Sequence, residues 1–128
     1  MSQRSRPGKI LLVDDDPNVL STFTTMLRLD GYEVHAAMDV EAGLHEASAY
    51  RPDAILLDLH MPLADGLAFL QRLRADKHHR RTPVAIITGD YWMDEATSNT
   101  LRALDATIHF KPLWLTDLIE LTHQLVPD

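Results

Sequence analysis

Short runs of hydrophobic residues recur along the chain, about 20 to 30 residues apart. Each run is too short to form a helix, and the spacing leaves room for a strand and a crossover connection. Within a run the apolar residues are consecutive, which is typical of strands that are buried on both faces of a sheet. The pattern predicts strands at Ile10–Val13, Val34–Ala37, Ala54–Leu57, Val84–Ile87 and Ile108–Phe110.

The segments between these runs carry hydrophobic residues at helical spacing. After the first run they stand at positions i, i+4 and i+7, as Val19, Phe23 and Met26. Asp30 and Gly31 end that helix, and leucine stripes predict a third and a fifth helix. Alanine-rich patterns place the second and fourth helices at about Val40–Ser48 and Asp94–Leu104. Strands and helices in alternation predict an α/β fold, a parallel sheet covered by helices on both faces.

Composition narrows the functional class. The chain has 128 residues, the size of one domain, and 12 Lys and Arg against 19 Asp and Glu give a net charge of −7. This charge argues against direct binding to nucleic acid or to an anionic membrane. No cysteine is present, so disulfides and thiolate sites are excluded. With no signal-peptide pattern, we expect a cytoplasmic protein with a flexible segment at 1–8, one domain at 9–126 and a tail at 127–128.

Acidic residues stand where two of the predicted strands end. Asp14 and Asp15 follow the first strand, and Asp58 follows the third. Because the carboxyl ends of parallel strands meet at one edge of a sheet, we expect these carboxylates to converge there. Converging carboxylates repel one another, and a hard divalent cation relieves that repulsion. The pattern therefore favours a Mg²⁺ site.

Two further strand ends supply groups suited to phosphate chemistry. Thr88 ends the fourth strand with a hydroxyl, and Lys111 ends the fifth with a cation. A carboxylate nucleophile, a divalent ion, a hydroxyl and a lysine are what phosphoryl transfer requires. Each residue alone has an ordinary structural interpretation, and Asp16 before Pro17 is the expected helix N-cap. It is the conjunction at four strand ends that favours a phosphoryl site.

Four segments carry a family resemblance, namely Ile10–Asp16, Pro52–Gly66, Pro83–Gly89 and Phe110–Pro112. Through them the chain resembles the receiver domain of two-component response regulators, from Lys9 to about Val126. The resemblance implies a flavodoxin-like sheet of strand order 2-1-3-4-5. It implies a phosphorelay switch that accepts a phosphoryl group from a sensor histidine kinase or a phosphotransfer protein. Beyond its own phosphorylation and dephosphorylation, such a domain is not an enzyme.

The resemblance also assigns roles to residues at the motif positions. Asp58 is implied as the phosphoacceptor, with Mg²⁺ held by Asp14, Asp15, Asp58 and the main-chain carbonyl of His60. Thr88 is implied as the switch hydroxyl, Gly89 as the small residue beside it and Lys111 as the phosphate contact. His60 and Asp90 occupy positions that tune dephosphorylation, and the bond before Pro112 is expected to be cis.

The fifth strand departs from the family pattern of Gly-Ala-x-x-aromatic-x-x-Lys-Pro. Here Asp105 replaces the glycine, and one residue is missing between Ala106 and Lys111. Counting back three from Lys111, the aromatic switch position holds Ile108. Phe110 lies one pleat nearer the lysine and does not simply replace it. We therefore expect switching in this chain not to depend on an aromatic rotamer.

The same resemblance has implications for the partners of the chain. It places the partner surface on helix 4, strand 5 and helix 5, for a downstream protein or a homodimer. Trp92 and Trp114 either cap the edge of the core or act as anchors on that surface. The pair His78 and His79 is read as part of a solvated loop. A degenerate receiver that works unphosphorylated is the first alternative, and a haloacid-dehalogenase-type phosphatase is a remote one.

Overall fold

The fold follows the predicted alternation of strands and helices. The computed structural model describes residues 8–58, 63–89, 93–111 and 113–126. None of the described helices is both long enough and apolar enough to cross a membrane. A 3-10 turn at Lys77–His79 precedes the fourth strand. The expected solvated loop is confirmed for the exposed His78 but is wrong for His79, which is buried because its Nε2 lies 2.8 Å from the Ala47 carbonyl oxygen. In chain order the elements are β1 (Lys9–Val13), α1 (Pro17–Leu29), β2 (Glu33–Ala37), α2 (Val40–Tyr50), β3 (Ala54–Asp58), α3 (Leu63–Ala75), β4 (Val84–Thr88), α4 (Glu95–Ala103), β5 (Ala106–Phe110) and α5 (Leu115–Leu125).

The five strands form one parallel sheet in the order β2-β1-β3-β4-β5, which confirms the expected topology. Val13 at the end of β1 lies beside Leu57 of β3. Asp58 then lies beside Ile87 of β4, and Thr88 beside Phe110 of β5. The carboxyl ends of four strands are therefore level along one edge of the sheet.

Side chains of the strands alternate between two apolar cores, one on each face. The core beneath α2, α3 and α4 contains Leu11, Val13, Ile55, Leu57 and Ile86. The core beneath α1 and α5 contains Ile10, Leu12, Leu56 and Ile87. Because both faces are covered, the strands need consecutive apolar residues, as the sequence pattern indicated.

Local sequence signals set the helix ends that surround the site. Asp16 caps α1, since its Oδ1 accepts the Asn18 N–H at 2.9 Å, and Pro17 is the first helical residue. Asp94 caps α4 in the same way and accepts the Thr97 N–H at 2.7 Å. Gly31 adopts a φ of 95° directly after α1, so the predicted end of that helix is also confirmed.

The weaker predicted boundaries differ from the structure by a few residues. Helix α2 continues to Tyr50, and Arg51 at a φ of 52° ends it. Strand β5 begins at Ala106, two residues before its apolar run, because Ala106 already pairs with Val84. Gly8 is buried, and its carbonyl accepts the Glu33 N–H at 2.9 Å. The rest of the predicted N-terminal segment and the tail at 127–128 lie outside the described residues.

Candidate functional site

A buried ion pair marks the carboxyl edge of the sheet. Asp58, the last residue of β3, is only 4% exposed, and Nζ of Lys111 lies 2.6 Å from its Oδ1. Because β4 lies between β3 and β5, the lysine side chain reaches across the end of β4. The Lys111 N–H donates to the Thr88 carbonyl at 2.8 Å, which fixes the base of that side chain. A buried carboxylate needs such a partner, and this one is a cation.

A second buried carboxylate follows the neighbouring strand. Asp14 is 1% exposed, and its N–H donates to the Ala37 carbonyl at 3.0 Å as a continuation of the sheet. Its Oδ1 accepts the Asp16 N–H at 3.1 Å, which orients the carboxylate at the start of α1. Asp15, in contrast, is exposed. Asp14 directly follows β1, the strand next to β3, so two buried acidic groups lie at one end of the sheet, the arrangement that attracts a cation.

The end of β4 supplies a hydroxyl and an open position. Thr88 is 2% exposed and lies between the strands that carry Asp58 and Lys111. Gly89 follows it and is exposed. A Cβ atom added to Gly89 would lie 3.8 Å from Cδ of Lys111, an ordinary contact distance. An alanine would therefore fit at this position.

The donor set suits a hydrated magnesium ion. Carboxylate oxygens are the ligands that Mg²⁺ prefers, and it commonly binds through one or two carboxylates while it keeps several waters. Asp14 and Asp58 supply two such groups, and Asp15 is open to solvent. In the described ranges no three His, Cys, Asp or Glu side chains form a metal-binding group. The residues present therefore fit an ion held partly by water rather than an all-protein cage.

Several of the predicted residues lie beyond this description. His60, Asp90, Pro112 and Trp92 fall outside the described residues, so the tuning positions, the expected cis bond and one tryptophan stay predictions. Of the residues that are described, Trp114 at the N-cap of α5 is 68% exposed and makes no side-chain cap hydrogen bond.

The structure describes both Ile108 and Phe110 of β5. Ile108 is partly buried and packs against the core beneath α2, α3 and α4. Phe110 lies directly beside Thr88 across the strand pair and is 46% exposed. In a parallel pair, residues at matched positions project to the same face of the sheet. Phe110 therefore shares a face of the sheet with Thr88.

Sequence reasoning missed one residue that positions β5. Arg74 at the end of α3 donates to the carbonyls of His79 (2.8 Å), Thr82 (2.7 Å) and Leu104 (2.8 Å). Burial lowers the pKa of its guanidinium, as expected for a cation that is tied to neutral carbonyls. These bonds join α3 to the segments that begin β4 and β5. An arginine in a helical pattern looks like an ordinary surface residue, so the sequence held no signal for this role.

Comparisons with known proteins agree with this geometry. The family profile of the response regulator receiver domain matches residues 10–123. The transcriptional regulatory protein PrrA of Mycobacterium tuberculosis is 35% identical over 111 residues, which cover 87% of this chain and 46% of PrrA. The regulatory protein AtoC of Escherichia coli is 36% identical over 111 residues, with 87% and 23% covered. The chain thus spans less than half the length of each relative.

A solved structure agrees over nearly the whole chain. The chemotaxis response regulator CheY4 of Vibrio cholerae superposes with a TM-score of 0.83 at 26% identity. The superposition covers 94% of this chain and 99% of that one. The superposition covers most of the chain, and the family profile covers the segment that holds Asp14, Asp58 and Lys111. This chain belongs to the response regulator receiver domain family of two-component systems.

Proposed function

We propose that Asp58 accepts a phosphoryl group from the phosphohistidine of a sensor histidine kinase or a phosphotransfer protein. One observation carries the proposal: the buried Asp58 carboxylate lies 2.6 Å from the Lys111 ammonium at the carboxyl edge of the sheet. Such a carboxylate has a defined nucleophilic oxygen and a cation beside it that can neutralise an incoming phosphoryl group.

The proposed step exchanges one bond to phosphorus for another. A carboxylate oxygen of Asp58 bonds to phosphorus while the P–N bond of the donor breaks, and the imidazole leaves with the electron pair and takes up a proton. Lys111 and the Thr88 hydroxyl interact with the phosphoryl oxygens, and Gly89 leaves them room. Mg²⁺, held by Asp14, Asp15, Asp58 and the His60 carbonyl, would supply further charge neutralisation.

The same proposal covers dephosphorylation of Asp58 and the effect of phosphorylation on partner binding. Water hydrolyses the acyl phosphate slowly, with His60 and Asp90 as the tuning positions. Apart from this self-catalysed cycle the chain is a signalling domain rather than an enzyme. The phosphorylated state changes the surface of α4, β5 and α5 that meets a downstream protein or a second copy. We also propose that the protein is cytoplasmic.

Labelling with a small phosphodonor tests the proposal directly. With acetyl phosphate and Mg²⁺, intact mass spectrometry should show one added phosphate on the wild-type chain and none on Asp58→Ala. Asp65→Ala, which removes an exposed carboxylate in the first turn of α3, serves as the matched control and should be labelled normally. An unlabelled wild-type chain would favour the degenerate receiver, in which the unphosphorylated surface binds partners.

The metal assignment has its own test. Because Asp15 is exposed, Asp15→Ala should leave the fold intact while it weakens Mg²⁺ binding by about tenfold or more, equal to ~1.4 kcal/mol per tenfold. Titration calorimetry with MgCl₂ measures the affinity, with Asp65→Ala again as the control. Equal Mg²⁺ affinity in Asp15→Ala and wild type would remove Asp15 from the site.

A further inference from the structure

A cluster of basic side chains lies at the amino edge of the sheet, the edge opposite Asp58. It is formed by the end of α2 and by the segment around the 3-10 turn, which lead into β3 and β4. Nη2 of Arg51 lies 3.4 Å from Nε2 of His78, so the two parts are neighbours. The exposed cations of this basic cluster are Arg51, Lys77, Arg80 and Arg81. A third of the 12 Lys and Arg of an acidic chain are therefore concentrated in one place.

The charges of the basic cluster are not neutralised by the chain itself. Within the described ranges, no carboxylate forms an ion pair with Lys77, Arg80 or Arg81. Asp76 stands beside Lys77, but its Oδ1 accepts the His78 N–H at 2.9 Å and caps the 3-10 turn. Four cations beside one carboxylate leave a positive surface, and such a surface attracts anionic partners.

A small groove opens beside the basic cluster, between α2 and α3. It encloses about 190 Å³. Sites for drug-sized molecules usually enclose about 300–1,000 Å³, so this volume suits one inserted side chain better than a small molecule. Ala47 and Leu73 are each only 1% exposed and form an apolar floor, and Asp76 is shared with the capped turn. The residues that line this α2–α3 groove are Leu44, Ala47, Arg72, Leu73, Asp76 and His79.

Hydrogen bonds hold the walls of the α2–α3 groove in place. His79 is buried, and its Nε2 donates to the Ala47 carbonyl at 2.8 Å, because a carbonyl only accepts. Its Nδ1 then accepts from the Thr82 hydroxyl at 2.8 Å. Arg72 of α3 pairs with Glu41 of α2, which joins the two helices. A preformed groove needs little ordering when it binds, and this favours association.

We propose that the basic cluster and the α2–α3 groove together bind an acidic segment of a partner protein. Carboxylates of the segment face the basic cluster, and one of its apolar side chains enters the groove. Nucleic acid fits this surface less well, because its backbone carries no apolar side chain for the groove and because the cluster offers few cations to its phosphates.

This surface is separate from the one expected on α4, β5 and α5. Both parts of the basic cluster precede strands, whereas Asp58 and Lys111 lie at the carboxyl ends of strands. A partner that binds here leaves the Asp58 site open, so its binding does not require phosphorylation of Asp58.

NMR titration of the wild-type chain with a synthetic acidic peptide tests the proposal. The probe is the hexapeptide Glu-Glu-Leu-Glu-Glu-Glu, and in a matched peptide alanine replaces the leucine. We expect saturable shifts of the amides of Leu44, Lys77 and Arg81, and an affinity about threefold or more lower for the alanine peptide. No saturable shift up to about 1 mM peptide, or shifts confined to α4, β5 and α5, would overturn the proposal. Equal affinities for the two peptides would refute the role of the groove.

Paired variants separate the basic cluster from general charge attraction. Arg80→Gln with Arg81→Gln removes two positive charges from the cluster. Ser21→Glu with Thr25→Glu adds two negative charges at exposed positions of α1, which covers the opposite face of the sheet. Affinity for the leucine peptide should fall about tenfold or more in the first double variant and less than about twofold in the second. An equal loss in both would refute a defined site.

A nucleic-acid probe distinguishes the two classes of anionic partner. Hexathymidylate, titrated under the same conditions, should bind the wild-type chain more weakly than the leucine peptide does. Tighter binding of hexathymidylate at the basic cluster would assign this surface to nucleic acid and overturn the proposal. The comparison of probes on the wild-type chain stands even if a variant fails to fold, which circular dichroism would reveal.

Discussion

Asp105 shows how a single residue adapts the turn before β5. It has a φ of 62°, a left-handed conformation that favours glycine, and it stands where the family pattern has Gly. Its carbonyl accepts a hydrogen bond from Arg74 Nη2 at 3.2 Å. Because that bond involves the main chain, any residue at this position would keep it. The strain of the left-handed conformation arises from the Cβ atom, which glycine lacks.

Replacing Asp105 with glycine should therefore stabilise the fold. We expect Asp105→Gly to raise the free energy of unfolding by about 0.5 kcal/mol, since relief of the left-handed strain exceeds the added chain entropy of glycine. Urea denaturation measures the change. The control Arg102→Gly, at an exposed position in the last turn of α4, should lower stability by about 1 kcal/mol. A less stable Asp105→Gly would show that the aspartate side chain contributes more than the strain costs.

His109 gives β5 a pH dependence of known sign. Burial lowers its pKa from the ordinary value, so the unfolded chain binds a proton at a higher pH than the folded chain does. Its contribution to stability is therefore present above about pH 6.5 and is lost as the pH falls towards the folded value. Between about pH 7.5 and 5.5, the wild type should lose more stability in urea than His109→Gln. A larger loss in the variant would contradict this sign.

At the level of elements, sequence patterns predicted most of the fold for identifiable reasons. Strands β1, β3 and β4 are buried on both faces, so their apolar runs are unmistakable. Strand β5 lies at the edge, where Thr107 is exposed, and its start was predicted two residues late. Asp58 and Lys111 could be predicted to meet because both follow strand ends. The hydrogen bonds of Arg74 could not be predicted, because its guanidinium donates to main-chain carbonyls, and the pattern of side chains carries no information about these.

The contact between α2 and the sheet rests on a glycine. A Cβ atom added to Gly43 would lie 2.9 Å from Cε1 of Phe69 and 3.3 Å from Cγ2 of Val13, and both of these side chains are fully buried. We expect Gly43→Ala to destabilise the fold by about 1 kcal/mol or more, because overpacking outweighs the gain in helix propensity.

Urea denaturation of Gly43→Ala beside Ser48→Ala isolates the packing effect. Ser48 lies on the exposed face of α2, so its replacement changes only helix propensity and should leave the protein equally stable or slightly more so. If Gly43→Ala were as stable as Ser48→Ala, the helix would be free to move away from Phe69, and the close approach of α2 would not be required.

At the scale of the whole molecule, the end of the sheet opposite the site is tied together by the last helix. His123 of α5 places Nε2 2.8 Å from Oδ2 of Asp30, the residue that ends α1. Val126 is buried in the same core as Tyr32 and Leu27. Because β2 begins just after Tyr32, these contacts lie at the amino edge of the sheet. The amino edge of the sheet is thus held by contacts of α5, whereas Asp14, Asp58 and Lys111 lie at the carboxyl edge.

Net charge leads to the last prediction, which concerns DNA. The basic residues Lys77, Arg80 and Arg81 are exposed around the 3-10 turn, but Asp76 lies among them and the chain as a whole carries −7. Proteins that bind DNA tightly through its backbone can contact roughly 6–10 phosphates, and at about 0.15 M salt a charge acts over only ~8 Å. Three cations in an acidic molecule are too few. We expect no mobility shift of duplex DNA by these 128 residues at about that salt concentration. A shift that disappears in the double variant Lys77→Glu, Arg81→Glu would contradict the prediction and assign DNA binding to this turn.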